Sequence, residues 1–408
     1  MPIYYTEFIA ATILTIVLIV FTLGKSPLFR IDRAGVAIIG AVAMMATNIL
    51  SFEDATKVVD YRTIVILFSM MVIVANLKVA GFFELLGQLV LDKIHTKKML
   101  LLTIILISGF MSAIAINDIV CLLFTPVVLF ICNKSNCNPI PHLLGLALAS
   151  NIGSAATFIG NPQNILIGSL SQIPFLTYLK TASPIAGVGL LLIYLFLKYY
   201  YRSELSGTLE VSTPTPIYFH PYLIIKTLLT LTLVIAFYII GFDIALLASL
   251  GAAFLLITRR IKPNKIYTSI DFNLLIIFVG LFIIVGGIKA SGLLDTVQEY
   301  LPLGAMNNLN FFGFISIVLS NIVSNVPAVL LLQYYISPED ALLKWQTLAL
   351  LSTIAGNLTI FGSIANLIVV EIAKKNNITI TATEYFRVGF PLTILMTILC
   401  LIWLQFTQ

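Results

Sequence analysis

Between Ser150 and Asn164 the chain reads SNIGSAATFIGNPQN, a run of amides, hydroxyls and glycines inside a stretch that is otherwise apolar from Leu143 to Leu170. Asn and Ser side chains donate and accept hydrogen bonds, and a helix opened by Gly160 and Pro162 frees backbone carbonyls and amides as further ligands. Together they suit the binding of an ion or a small polar solute. A second run, LTIFGSIANLIVV, carries Thr359, Gly362, Ser363 and Asn366. Two polar pairs, Asn117-Asp118 and Ser324-Asn325, interrupt the long apolar stretches Met99 to Cys132 and Phe311 to Ile336. Catalysis is not indicated. The apolar spans hold no nucleophile paired with a base and no His/Cys/Asp cluster, so an enzyme is not expected. Cys121, Cys132, Cys137 and Cys400 lack CxxC spacing, and His95, His142 and His220 show no ligand pairing. A metal or disulfide framework is therefore not expected.

The elements that hold these residues must lie in a membrane. The chain is 59% hydrophobic and 10% charged, against about 25% charged residues in ordinary soluble domains, and its mean hydropathy is +1.05. Apolar runs of about 20 residues recur from end to end, with no polar block long enough for a soluble core, so the whole chain reads as one membrane domain. Alternation of period two is absent, so helices and not a barrel make the crossings. Phe8 to Leu23 follows MPIYYTE, which has no basic n-region, and no small-x-small cleavage site comes after it, so it reads as a retained helix. The net charge of +5 is modest. It sits in short loops, a mark of topology and not of nucleic-acid binding.

Loop charges set an orientation. Lys25, Arg30 and Arg33 outweigh Asp32 and place the first loop in the cytoplasm, with the N-terminus outside. Glu53, Asp54 and Asp60 mark an external loop, and Lys93, Lys97 and Lys98 an internal one. The stretch 99–132 is too long for one crossing and has basic flanks on both sides, so it is read as a re-entrant hairpin with Asn117-Asp118 at its tip; two full crossings are the alternative. A Ser/Thr/Pro-rich linker at 201–218 divides the chain near its middle. Beyond it Arg259, Arg260, Lys262 and Lys265 lie inside, and a second hairpin, 311–336, has acidic, external flanks.

The second half thus repeats the first with opposite polarity. FSMMVIVANLKVAGFFELL resembles IFVGLFIIVGGIKASGLLDTV, IAINDIVCLLFTP pairs with IVSNVPAVLLL, and ATFIGNPQNILIG pairs with LTIFGSIANLIVV. The last pairing aligns Thr157 with Thr359, Gly160 with Gly362 and Asn164 with Asn366. An inverted repeat whose matching segments are broken hydrophobic helices is the sequence pointer to a secondary transporter's midplane site. The expected fold is an all-α integral membrane protein of ten transmembrane helices and two re-entrant hairpins. Residues 1–200 form the first repeat, with its unwound helix at 143–170, and 219–408 the second, with its unwound helix at 345–370.

NDIVCLLFTP, SNIGSAATFIGNPQN, SNVPAVLL and GNLTIFGSIANLIV together resemble the ion transporter superfamily, in particular its arsenite efflux permeases and sodium-coupled divalent anion symporters. The resemblance covers nearly the whole chain. In the symporters each hairpin tip carries a Ser-Asn-Thr motif whose Asn contacts substrate, which implies Asn117, Ser324 and Asn325 here, although the first tip reads Ile-Asn-Asp and the second Ser-Asn-Val. The unwound segments of that family hold sodium and substrate. This implies Ser150, Asn151, Gly160, Asn161 and Asn164 in the first half and Thr359, Gly362, Ser363 and Asn366 in the second; Thr157 joins them through its alignment with Thr359.

Asp118 sharpens the choice among substrates. Intramembrane acids are costly and mark ion or proton pathways, and an ionised Asp118 repels a dicarboxylate. That points to a neutral metalloid acid, or to an anion accompanied by a cation or proton. The alternative role for Asp118 is to cap the second hairpin helix. The expected function is proton-coupled secondary transport of a small oxyanion or metalloid acid such as arsenite or antimonite. A sodium-coupled dicarboxylate or inorganic anion symporter and a sodium/proton antiporter are the alternatives. No cofactor is called for beyond the coupling ion, proton or sodium. The expected partners are a small anion, the bilayer of an inner (plasma) membrane and a second copy in a homodimer, with both termini extracytoplasmic.

Overall fold

The computed structural model describes residues 3–209, 218–259, 261–300 and 303–407, so residues 210–217 of the linker and Arg260 lie outside the described residues. The first half runs α1 (Ile3–Leu23), α2 (Arg33–Ala46), α3 (Phe52–Lys57), α4 (Tyr61–Val79), α5 (Phe82–Lys93), α6 (Lys97–Ile114), α7 (Asn117–Lys134), α8 (Ile140–Ser154), α9 (Pro162–Ser171) and α10 (Phe175–Tyr200). The second runs α11 (Pro221–Ile240), α12 (Ile244–Leu256), α13 (Pro263–Tyr267), α14 (Phe272–Ala290), α15 (Leu293–Tyr300), α16 (Leu303–Asn307), α17 (Leu309–Val323), α18 (Asn325–Leu332), α19 (Ala341–Ala355), α20 (Ile364–Lys375) and α21 (Ala382–Phe406). Helix by helix the second order matches the first, with α16 inserted.

Among the described residues eight helices, α1, α4, α6, α7, α10, α11, α14 and α21, are long and apolar enough to cross a membrane. Several helix starts are written in the sequence. Asp32, Thr96, Asn161, Asp243, Asp271 and Ser363 each accept a hydrogen bond from a first-turn amide of the helix they precede, satisfying donors that a helix start otherwise leaves open. Ile16, Ile19, Ile225, Leu229, Leu233, Leu246 and Leu250 are exposed on α1, α11 and α12, an apolar outer surface suited to lipid.

The two overlong stretches divide differently. α6 and α7 have 18 residues each, about 27 Å of helix and close to the depth of the hydrocarbon core. α17 has 15 and α18 only 8, so α18 reaches about 12 Å and does not cross. The interior is organised around α8, which packs against α6, α7, α10, α19 and α20. A Cβ on Gly153 of α8 would lie 2.1 Å from the Gly109 carbonyl oxygen of α6. Those two backbones touch, as small residues permit between membrane helices.

Candidate transport site

Two helices are broken at corresponding places. α8 ends at Ser154 and α9 begins at Pro162, while α19 ends at Ala355 and α20 begins at Ile364. Pro162 does not unwind its helix, as the sequence reading has it. It is the first residue of α9, where the missing N–H costs nothing and the fixed φ suits a helix start. Ser150 and Asn151 likewise lie in the closing turns of α8 and not in the break. Gly160 is required by packing, since a Cβ there would meet the Ser154 and Ser112 carbonyl oxygens at 2.3 and 2.7 Å.

The breaks are held by matching hydrogen bonds. Asn164 Nδ2 donates to the Thr157 carbonyl (3.2 Å) and, at 3.5 Å, to that of Ser154; Asn366 Nδ2 donates to the Thr359 carbonyl (3.2 Å) and the Gly356 carbonyl (2.7 Å). Asn161 caps α9 by accepting from the Asn164 amide at 2.9 Å, and Ser363 caps α20 by accepting from the Ala365 amide at 3.2 Å. Both helices thereby direct N-terminal dipoles, partially positive, toward the breaks.

Asn151 joins the halves. Its Nδ2 donates to Asn357 Oδ1 (2.8 Å) and Asn366 Oδ1 (3.0 Å), and its Oδ1 accepts from Asn117 Nδ2 (3.1 Å) and Ser363 Oγ (3.0 Å). Thr353 does the reciprocal work, accepting from Asn161 Nδ2 (3.1 Å) and Gln163 Nε2 (3.3 Å) and facing Asn164 Oδ1 at 3.4 Å. The first hairpin is tied in by its backbone: the Asn117 amide donates to the Gly160 carbonyl at 2.9 Å. Ser150 Oγ lies 2.9 Å from Ser112 Oγ and 3.3 Å from the Asn117 carbonyl. Thr157 Oγ1 donates to the Ala113 carbonyl, and Thr359 Oγ1 to Asn321 Oδ1.

The tips differ from the sequence reading. The first turn of the hairpin is at Ala115-Ile116, and Asn117 is the first residue of α7. Ile116 occupies the capping position with no side-chain bond, so Asp118 does not cap α7. Its carboxylate instead faces the backbone amide of Ala365 in the first turn of α20, within the fields of Arg33 and Asp271. Asn117 Oδ1 is buried with no hydrogen-bond partner, and so is Asn325 Oδ1 at the second tip. Ser324 and Asn325 make no side-chain hydrogen bond to the network among the described residues. Ser324 adopts φ 76°, ψ 159°, a region that only glycine enters without strain.

Thr353, Asn357, Asn321, Ser112, Ser154 and Tyr178 belong to the network and are absent from the sequence reading. Tyr178 donates to the Ala155 carbonyl (2.7 Å) and accepts from Asn164 Nδ2 (3.3 Å). The spacing that separates Asn164 from Asn366 also separates Asn151 from Thr353, a signal in the chain that points to Thr353. Away from this site, Cys132, Cys137 and His142 come together with their ligand atoms within 4.8 Å. The three sit within eleven residues as Cys-x4-Cys-x4-His, outside the CxxC spacing the sequence reading considers, and the turn after α7 brings them together.

Comparison with known proteins places the molecule. Residues 16–355 match the family described as CitMHS: Citrate transporter. The chain belongs to the CitMHS family. It is a multi-pass membrane protein and a secondary transporter of the ion transporter superfamily, not an enzyme. It is 28% identical to the silicon efflux transporter LSI3 of Oryza sativa subsp. japonica, over 91% of this chain and 92% of that one. It is 27% identical to the putative transporter arsB of Dictyostelium discoideum, over 90% of this chain and 86% of that one. Its fold is similar to the crystal structure of the Alcanivorax borkumensis YdaH transporter, with a TM-score of 0.57 at 13% identity over 100% of this chain and 99% of that chain.

Proposed function

We propose that this CitMHS protein carries a small, neutral metalloid acid of the arsenite or antimonite kind and couples it to protons. The observation that carries this reading is the charge of the site. Among the described residues its network consists of amides, hydroxyls and backbone dipoles, none of its members is Lys or Arg, and Asp118 at its edge is its one carboxylate. An undissociated acid presents hydroxyls that amides and carbonyls receive directly. A di- or trianion brought there would be desolvated beside a carboxylate, with no cationic side chain in the network to offset the cost. The relative named for silicon efflux supports this, since dissolved silicon is also a neutral hydroxyl acid.

A sodium-coupled carboxylate or inorganic anion symporter is favoured by one observation, the unpartnered Oδ1 of Asn117, a residue whose backbone amide is bonded to the Gly160 carbonyl of the first break. Oxygens of that kind suit a sodium ion, whose charge would offset an anion's. In either case the two halves act as an inverted repeat of ten spans and two re-entrant hairpins, with both termini outside and two copies in a dimer. Alternating access then arises around a midplane site.

The test is the transient current of purified protein in liposomes on a solid-supported electrode after jumps of arsenite, citrate, succinate and sulfate, with and without sodium. The proposal expects a pH-dependent, sodium-independent current on arsenite addition. A current requiring sodium together with a carboxylate or sulfate would refute it in favour of the symporter. Cysteines introduced at 54 and 340 should react with an impermeant reagent from outside and one at 262 from inside; the opposite pattern overturns the topology.

A further inference from the structure

The turn after α7 assembles three side chains that the transport network leaves unused. Cys132 lies in the last turn of α7, Cys137 in the loop and His142 in the first turn of α8. Asn136 takes a left-handed conformation, φ 46°, which Asn tolerates better than most residues. The chain then folds back so that the Cys137 amide donates to the Cys132 carbonyl at 3.0 Å. Cys132 is 0% and His142 1% exposed, and Cys137 is half-buried.

The histidine supplies an independent observation. Its Nδ1 lies 3.0 Å from the Asn138 carbonyl and its Nε2 3.4 Å from the Lys97 carbonyl. A neutral imidazole has a single N–H, so one of these carbonyls can receive it. The other ring nitrogen is left with a buried lone pair and no donor. A metal ion takes such a lone pair once the longer contact, to the Lys97 carbonyl, gives way, while the Asn138 carbonyl holds the opposite N–H, the usual arrangement of a ligating histidine.

We propose that Cys132, Cys137 and His142 form a binding site for a thiophilic metal ion of the zinc type, with two sulfurs, one imidazole nitrogen and a fourth position open. Tetrahedral zinc with Zn–S near 2.3 Å sets its sulfurs roughly 3.8 Å apart. Ligand atoms within 4.8 Å need to draw in by no more than about 1 Å, within reach of side-chain rotation. Binding converts two thiols to thiolates and releases two protons. On the proposed topology this end of α7 and α8 faces the cytoplasm, where thiols stay reduced.

The consequence reaches the transport site. Asn117 begins α7 and Asn151 lies near the end of α8, and their side chains are bonded at 3.1 Å. A metal at the other ends of these helices would fasten the pair at both ends.

Cobalt tests this directly. The full-length protein, purified under a thiol-free reductant, is titrated with Co2+ and then Zn2+. The expected result is one cobalt per chain, thiolate-to-cobalt charge-transfer absorption, tetrahedral d–d bands, and loss of both on zinc addition. Cys137→Ser and His142→Gln should each weaken binding by more than the roughly 10- to 100-fold that loss of an outer partner costs, while Cys400→Ser on α21 leaves it unchanged. Monodisperse elution in detergent verifies folding of each variant, and the wild-type spectrum stands without them. Absence of the charge-transfer band in reduced wild type, its survival in Cys137→Ser, or direct passage of the thiols to a Cys132–Cys137 disulfide without metal uptake would each overturn the proposal.

Discussion

Removing Asn151 tests whether the network that joins the two halves is the transport site. Both hydrogens of its amide and both lone pairs of its oxygen are engaged, at a position 2% exposed. Asn151→Ala strands Asn117 Nδ2, Ser363 Oγ and the Oδ1 atoms of Asn357 and Asn366. A stranded buried group costs roughly 1–3 kcal/mol, so four of them bound the loss at about 4–12 kcal/mol. One effect lowers that bound: the vacated carboxamide leaves room for a water that can serve two to four partners. About 2–4 kcal/mol should remain, read as a fall of several degrees in the apparent unfolding temperature of detergent-purified protein. A double-mutant cycle with Asn366→Ala isolates the 3.0 Å bond, expected to couple by about 1 kcal/mol. Arsenite-evoked current should fall at least about tenfold, the equivalent of 1.4 kcal/mol. An Asn151→Ala protein with unaltered half-saturation and a cycle that closes to zero would refute the placement of the site.

Asp118→Asn should abolish or uncouple the arsenite current while leaving a folded, monodisperse protein; unchanged and still pH-dependent flux would remove Asp118 from the mechanism. Gly160→Ala should destabilise by about 1–3 kcal/mol, because its Cβ meets backbone at 2.3 Å, and Gly362→Ala by less, because its nearest neighbour is the Asn321 side chain at 2.8 Å; thermal unfolding showing the reverse order would contradict this packing. Ser324→Gly should relieve about 1–3 kcal/mol of backbone strain and raise the unfolding temperature, whereas a fall would mean that the tip is held by its side chain. Spin labels at Ile140 on α8 and Leu342 on α19 should keep one distance in all states, while the distance from Leu342 to Ile38 on α2 changes with substrate. A variable first distance would show that the broken helices separate.

What could be read from the chain follows from local chemistry. Asn161, Asn164, Ser363 and Asn366 announce themselves because polar residues inside apolar runs have few structural uses. Helix starts are legible at Asp32, Thr96 and Asn161 because capping is a property of adjacent residues. The exact ends of the breaks are not, since Pro162 is equally consistent with a kink and with a helix start. Asn357 and Tyr178 escape for another reason. Nothing beside them in the chain is unusual, and their roles come from partners far away, Asn151 for the first and Asn164 and Ala155 for the second. Asp118 shows the same limit. Its neighbours in sequence suggest a cap on its own helix, while the groups that act on it include an amide of α20 in the other half.

The crossed contacts also restrict how access can alternate. Asn151 of α8 reaches Asn357, Ser363 and Asn366 in the second break, and Thr353 of α19 reaches Asn161, Gln163 and Asn164 at the first. A hinge that parted α8 from α19 would break these bonds together, all of them buried. At roughly 1 kcal/mol net apiece, and more where a partner is left dry, that cost in every cycle would far exceed the few kcal/mol that separate the states of a working transporter. Movement is cheaper where the contacts are apolar side chains sliding on lipid-facing helices, such as α1, α11 and α12. On this reading the broken helices and the first hairpin tip travel as one body, and the proposed site moves with them.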